Sequence, residues 1–323
     1  MTTFPRIIFF GTPEFAVASL AKLVEGGFSV VAVVTAPDKP SGRGLKEHAS
    51  PVKEFAKTCG IPVLQPVNMK DPIFLAQLSS YKPDLQIVIA FRMMPRQVWS
   101  LPPLGTFNLH ASLLPQYRGA APINWAIING ESETGVTTFF LNDQVDTGKI
   151  LLSEKIGIGP DETAGELHDR LMEAGSELVI NTVNGILSGS ITEIHQESLV
   201  DDPGSLKKAP KIFREDCRIN WNQDAVTIHN FIRGLSPFPG AFTEIKMPDG
   251  SSQTLKIFRT FPEYVENQDN PGEFITDRKS YFRIGTLNGQ INILELQISG
   301  RKIMNAADFL RGFGWIFSET HDI

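Results

Sequence analysis

The tripeptide Asn108-Leu109-His110 sets an amide and an imidazole two residues apart. In an extended segment, side chains at i and i+2 share a face, so the two polar groups point the same way. An amide can donate a hydrogen bond, and an imidazole is the side chain that carries a proton near neutral pH. Asn is a poor strand former, so an Asn inside TFNLH calls for a reason. That reason is either a ligand or a hydrogen-bonded place in the core, and the residues alone leave both open. A turn containing two acids, Asn142-Asp143-Gln144-Val145-Asp146-Thr147-Gly148, follows the apolar run at 136–141. As a turn residue Asp146 needs no further role. Beside His110, its carboxylate would favour the charged imidazole and fix its tautomer. Nothing in the spacing decides between these.

The surrounding pattern predicts elements that would present these residues together. Short apolar runs at 6–10, 30–34, 84–91 and 106–110 alternate with helical patterns at 14–25 and 51–59. Strands alternating with helices imply a parallel sheet. Ligands of such sheets sit beyond the carboxyl ends of the strands, which points at residues 11–14, 35–50, 91–95 and 108–119. Thr163 and Glu166 form a capping box opening a helix that Gly185 or Gly189 closes. Residues 200–212 (VDDPGSLKKAPKI) read as a linker. Beyond it, a helix at 225–233 and closely spaced strands at 241–247, 254–258, 281–286 and 290–298 suggest a small β-barrel.

Other segments carry weaker signals. Gly11-Thr12-Pro13 lies at a strand-to-helix turn but is not GxGxxG, so a dinucleotide fingerprint is unsupported. The stretch 112–123 (SLLPQYRGAAPI) is a rigid apolar loop suited to a planar, partly apolar ligand, or a structured loop in which Arg118 is merely solvated. Lys39, Arg43 and Lys46 stud a Pro- and Gly-rich loop at 35–50 that could guide an anion or simply be solvated. Lys207, Lys208 and Lys211 read the same two ways. Trp125 and Phe139 read as core.

Composition bounds what these residues can be doing. The chain has 323 residues, 41% hydrophobic and 20% charged, with 30 Lys and Arg against 36 Asp and Glu. Two domains are expected at this length. A net charge of −6 excludes a broadly basic nucleic-acid binder but not a local basic patch. The two cysteines, Cys59 and Cys217, make neither a zinc site nor a disulfide framework. With no leader-like or membrane-spanning segment, a cytoplasmic protein is expected.

The ordered motifs GTPEF, TAPDKPSGRG, NLHASLLPQYRGAAPI and VDTG closely resemble those of the methionyl-tRNA formyltransferases. The resemblance runs over essentially the full length, through RINW at 218–221, IRGLSPFPGA at 232–241 and SGRKI at 299–303. It implies a Rossmann-like formyltransferase domain with a parallel-rich sheet at 1–199. A linker at 200–212 and a C-terminal OB-like, tRNA-contacting domain at 213–323 would follow. It implies 10-formyltetrahydrofolate as cosubstrate, no metal, initiator Met-tRNA as acceptor, and neither a membrane nor an obligate protein partner. By the same resemblance Asn108, His110 and Asp146 match the catalytic trio. Ser112, Leu113, Leu114 and Pro115 match the folate-contacting loop, and Arg43 the loop residue that approaches the tRNA acceptor end. An amino-sugar formyltransferase or a formyl-folate hydrolase is the alternative. One departure is visible: the family's Tyr-Gly pair after the 84–90 strand is Phe91-Arg92 here.

Overall fold

The computed structural model describes residues 5–41, 46–265 and 270–317. The chain forms two compact units: residues 1–119, 134–156 and 168–208 in the first, and 120–133, 157–167 and 209–323 in the second. In chain order the elements to residue 188 are β1 (Ile7–Gly11), α1 (Glu14–Glu25), β2 (Val30–Val34), β3 (Lys39–Ser41), β4 (Lys46–His48), α2 (Pro51–Thr58), β5 (Val63–Leu64) and α3 (Pro72–Ser80). They continue as β6 (Leu85–Ile89), α4 (Arg96–Trp99), β7 (Thr106–His110), β8 (Arg118–Gly119), α5 (Pro122–Ile128), β9 (Glu133–Phe140), β10 (Ile150–Gly157) and α6 (Ala164–Ser188).

The first unit is built on a seven-stranded sheet in the order β10-β9-β7-β6-β1-β2-β5. Strands β7, β6, β1, β2 and β5 pair in parallel, and β9 runs antiparallel to β7. The run Ile7-Ile8-Phe9-Phe10 is wholly buried, as a central parallel strand covered on both faces must be. Helix starts follow local chemistry. Ser50 accepts from the Lys53 N–H to cap α2, and Asp71 accepts from the Ile73 N–H to cap α3, each with proline in the first turn. At the β1–α1 turn a Cβ on Gly11 would lie 2.7 Å from that of Ala16, so the glycine is explained by close packing. The parallel strands direct the segments after β1, β2, β6 and β7 to one end of the sheet, where Asn108 and His110 also lie.

After β11 (Lys208–Ala209), the second unit completes the chain order with α7 (Ala225–Gly234), β12 (Ala241–Lys246), β13 (Ser252–Glu263), β14 (Phe274–Thr276), β15 (Phe282–Gly285), β16 (Gln290–Ile298), β17 (Met304–Asn305) and α8 (Ala306–Phe313). An antiparallel sheet, β12-β13-β16-β15-β14 with β17 against β16, curls around an apolar core. Irregular register at residues 257–260 of β13 lets this long strand serve β12 at one end and β16 at the other. Phe282 stacks on Phe309, with ring centroids 5.8 Å apart. The strand spacing suggests a small β-barrel here, and the structure has this curled antiparallel sheet.

One local reading is corrected. The segment at 35–50 is not all loop, because β3 and β4 pair antiparallel within it. Residues 120–133 and 157–167 pack with the C-terminal unit, although they lie within the first 199 residues. The reason is specific bonding. Asn124 Nδ2 donates to the Gly234 carbonyl, and the Trp125 indole N–H donates to the Pro210 carbonyl. The buried guanidinium of Arg233 donates to the carbonyls of Gly159 and Glu162. The capping box at Thr163 and Glu166 forms as expected, and α6 ends at Gly189. Its Glu166 carboxyl is lowered to about 2 by the Thr163 backbone N–H and then by the Arg259 guanidinium. Among the described residues no helix is long and apolar enough to cross a membrane.

Candidate active site

Strand β7 carries two members of the expected trio. Asn108 and His110 lie opposite Phe139 and Thr137 of β9. The Asn108 Oδ1 is buried and has no hydrogen-bond partner among the described residues. A buried, unpaired amide oxygen costs about 1–3 kcal/mol, a penalty that a folded core ordinarily avoids. His110 is 6% exposed, and its Nε2 lies 2.9 Å from the Tyr117 carbonyl oxygen. A carbonyl only accepts, so Nε2 carries the hydrogen and Nδ1 remains for exchange.

Asp146 approaches from the loop between β9 and β10. Its Oδ2 accepts from the Gly119 N–H at 3.1 Å. Among the described residues no hydrogen bond or ion pair joins Asp146 directly to His110. The short segment 117–119 links them, through the Tyr117 carbonyl on one side and the Gly119 N–H on the other. Tyr117 and Asp146 have φ of 59° and 54°. Left-handed backbone costs most L-residues roughly 1–2 kcal/mol, and Asp tolerates it better than Tyr. Two residues further on, a Cβ at Gly148 would fall 1.5 Å from the Phe140 carbonyl oxygen, so the loop needs glycine there.

The SLLP loop is packed differently from a row of ligand-facing side chains. Ser112, Leu114 and Pro115 are buried, and only Leu113 is half-exposed. The Ser112 hydroxyl donates to the Gln116 carbonyl at 2.7 Å. Thr137 Oγ1 donates to the Ser112 carbonyl and accepts from the Leu114 N–H. Leu113 lies against Gly135, where a Cβ would meet its Cδ2 at 2.6 Å.

Neighbouring loops at the same end of the sheet are tied in place. Arg92 Nη1 donates to the Val67 carbonyl at 3.0 Å, and Nη2 donates to that of Pro66. This explains the arginine that departs from the family pattern: its side chain bridges two loops. Lys53 bonds Asp38 and Gln65, and Gln65 Nε2 donates to the Ala36 carbonyl, anchoring the segment before β3. The Lys53 ammonium and the Gln65 amide hold the Asp38 carboxyl below its ordinary range. Arg43 lies outside the described residues. Lys207, Lys208 and Lys211 are exposed, with the Lys211 ammonium 5.1 Å from the Phe213 ring. Phe139 is core, as read, and Trp125 is half-buried.

Sequence reasoning misses one residue of this region. Gln196 is completely buried and bonds both Arg118 and the Asp146 loop. It stands in an irregular polar stretch with no periodicity to mark it. Among the described residues no group of three or more His, Cys, Asp or Glu is placed to hold a metal ion.

Comparison with known proteins defines the class. Residues 5–183 match the family model described as formyl transferase, and residues 211–314 match the formyl transferase C-terminal domain. Both matches place the chain among the formyl transferases. The chain is 53% identical over 309 residues to a methionyl-tRNA formyltransferase of Phocaeicola vulgatus, covering 95% of both chains. It is 50% identical over 308 residues to the enzyme of that name from Bacteroides fragilis, again covering 95% of each. The chain belongs to the methionyl-tRNA formyltransferase family. Among solved structures, HypX from Aquifex aeolicus in complex with tetrahydrofolic acid superposes with a TM-score of 0.63 at 20% identity. That match covers 99% of this chain but 48% of HypX, and at this identity it is a likeness of fold.

Proposed function

We propose that this chain transfers the formyl group of 10-formyltetrahydrofolate to the free amino group of the methionyl moiety of initiator Met-tRNA, in the cytoplasm. Full-length similarity to enzymes of that name supports the reaction. The observation that carries the site is the buried, unpartnered Asn108 Oδ1 beside His110 at the carboxyl end of β7. We assign the chemistry to Asn108, His110 and Asp146.

In this mechanism the substrate amine attacks the formyl carbon, forming a C–N bond and a tetrahedral intermediate with negative charge on oxygen. Asn108 donates an amide N–H to that oxygen. One such donor is worth about 2.7–4 kcal/mol of barrier. Protonated His110 delivers its Nδ1 proton to N10 of the folate as the C–N10 bond breaks. Its Nε2–H stays on the Tyr117 carbonyl, which fixes the ring. Asp146 receives the amine proton through a water and helps to orient the imidazole across segment 117–119. General acid–base steps of this kind contribute about 10²–10⁴-fold.

For the folate we assign the 112–115 loop, with Leu113 offering the accessible apolar edge and the buried Ser112, Leu114 and Pro115 holding the loop's shape. For the tRNA we assign Arg43 and the exposed cations Lys207, Lys208, Lys211, Arg301 and Lys302. The functional division is 1–199 for catalysis, 200–212 as linker and 213–323 for tRNA contact, supported by the bounds of the two family matches.

The test compares charged initiator Met-tRNA with uncharged tRNA as acceptor of formyl from 10-formyltetrahydrofolate. Formyl on the charged tRNA alone is expected. Free formate without a tRNA product would instead mark a folate hydrolase, and transfer to an amino sugar would mark the sugar enzyme.

A further inference from the structure

We propose that Gln196 is a positioning residue that holds Asp146 in its working conformation, an inference that rests on the catalytic assignment of Asp146 above. The side-chain amide of Gln196 is wholly buried and every polar valence is used. Nε2 donates to the Asp146 carbonyl at 3.0 Å and to the Gly148 carbonyl at 2.7 Å. Oε1 accepts from Arg118 Nε at 3.0 Å and from Nη2 at 2.6 Å. Two donors and two acceptor sites are all that a glutamine amide has. The orientation is unique, because the reverse would set N–H groups against a guanidinium and oxygen against two carbonyls.

The position of this amide couples the two halves of the site. On one side it grips the backbone at 146–148, where Asp146 is held in left-handed geometry. On the other it grips Arg118, which lies between Tyr117, the acceptor for His110, and Gly119, the donor to Asp146. Gln196 is itself placed by the reciprocal backbone bonds of Ile194 with Ile150, at 2.8 and 2.9 Å. The amide therefore stands between the imidazole's anchor and the carboxylate's loop and fixes the spacing between them. Misplacing a reacting group by about 1 Å can cost about 10²-fold in rate. Gln196 touches neither folate nor amine in this scheme, so its effect belongs in kcat.

The experiment measures formyl transfer by the full chain carrying Gln196→Leu, Gln196→Glu and Asp146→Asn, and by the Gln196→Leu/Asp146→Asn double variant. Gln196→Leu should lower kcat by about 10- to 100-fold and leave the folate KM within about threefold. In the Asp146→Asn background the same change should cost less than about threefold, because its route of action is already removed. Gln196→Glu keeps the acceptor for Arg118 but sets a carboxylate oxygen against two carbonyls. Only its protonated form can donate there, so its kcat relative to the unsubstituted chain should climb as pH is lowered. A merely structural role would produce neither the non-additivity nor the pH trend. If Gln196→Leu does not fold, the pH ratio of Gln196→Glu carries the test. Unchanged kcat in Gln196→Leu beside an inactive Asp146→Asn overturns the positioning role alone, as do additive losses or a flat pH ratio. An active Asp146→Asn variant would instead overturn the catalytic reading.

Discussion

Replacing Asp146 by Asn removes one negative charge and leaves the shape of the loop in place. Asp146 has φ of 54°, and Asn is among the few residues that share Asp's tolerance of left-handed backbone. The Asn Oδ1 can still accept from the Gly119 N–H, which meets Asp146 Oδ2 at 3.1 Å. What is lost in stability is the difference between a charged and a neutral acceptor, about 1 kcal/mol. What is lost in catalysis is the proposed proton acceptor for the amine. General acid–base terms of about 10²–10⁴-fold correspond to roughly 2.7–5.4 kcal/mol of barrier. The kinetic loss should therefore exceed the stability loss at least twofold. Asp146→Ala separates the two further. It leaves the Gly119 N–H without its acceptor, costing about 1–3 kcal/mol, and adds left-handed strain of roughly 1–2 kcal/mol. The Ala variant should thus melt lower than the Asn variant while both lose similar activity. The assay is formyl transfer at saturating folate and charged initiator tRNA, with folate KM and thermal melting measured on the same preparations. Turnover of Asp146→Asn within threefold of the unsubstituted chain would refute the reasoning. A loss that merely tracked the unfolded fraction would refute it equally.

Asn108→Leu removes an orphaned buried oxygen along with the proposed oxyanion donor. It should lower turnover by about 10²–10³-fold without lowering the melting temperature, and retained activity would contradict the role given to Asn108. His229 is 4% exposed, accepts from the Thr260 hydroxyl on Nδ1 and donates from Nε2 to the Pro160 carbonyl. Burial, with nearby Arg233 adding to it, holds its imidazole below the ordinary 6.5, while the Pro160 carbonyl and Asp161 oppose the shift. A depressed folded value means that the unfolded chain binds the proton more readily. Stability is then full above about pH 6.5 and falls as pH drops through that value toward the folded one. The fall in melting temperature between pH 7.5 and 5.5 should shrink in His229→Gln; an equal fall in both proteins would exclude His229 as its source. For tRNA, KM should rise steeply with added salt while folate KM stays nearly flat, because phosphate contacts release counterions. A flat response for both substrates would exclude the proposed cationic contacts.

Much of the site is legible from residue type and periodicity because it lies on a regular element. The i and i+2 placement of Asn108 and His110 holds on β7, and the parallel sheet directs both toward its ligand end. The Thr163–Glu166 box is equally local, with donor and acceptor three residues apart. Contacts between distant loops leave no such trace. The bond from Gly119 to Asp146 spans 27 residues, and those from Gln196 to Arg118 and the Asp146 carbonyl span 78 and 50. No spacing rule reaches across such intervals. Arg118 is the clearest case: an arginine in an apolar loop reads equally well as solvated until its acceptor is located. For α5, nothing in the residue pattern names a partner, and the bonds of Asn124 and Trp125 tie it into the second unit.

Ser112 shows why a motif and its physical roles must be separated. The SLLP string marks the folate loop by resemblance, yet its one hydroxyl is buried and donates inward to the Gln116 carbonyl. The segment that follows supplies the Tyr117 carbonyl for His110 and the Gly119 N–H for Asp146. In the structure, then, the polar groups of residues 112–119 are met by one another, by Thr137, Lys207 and Gln196, and by the two titratable side chains. A side chain committed to the loop's own hydrogen bonds serves a ligand chiefly by fixing the backbone and the apolar edge that the ligand meets. Side-chain replacement at Ser112 therefore acts first on the backbone of its own loop, through the lost bond to the Gln116 carbonyl.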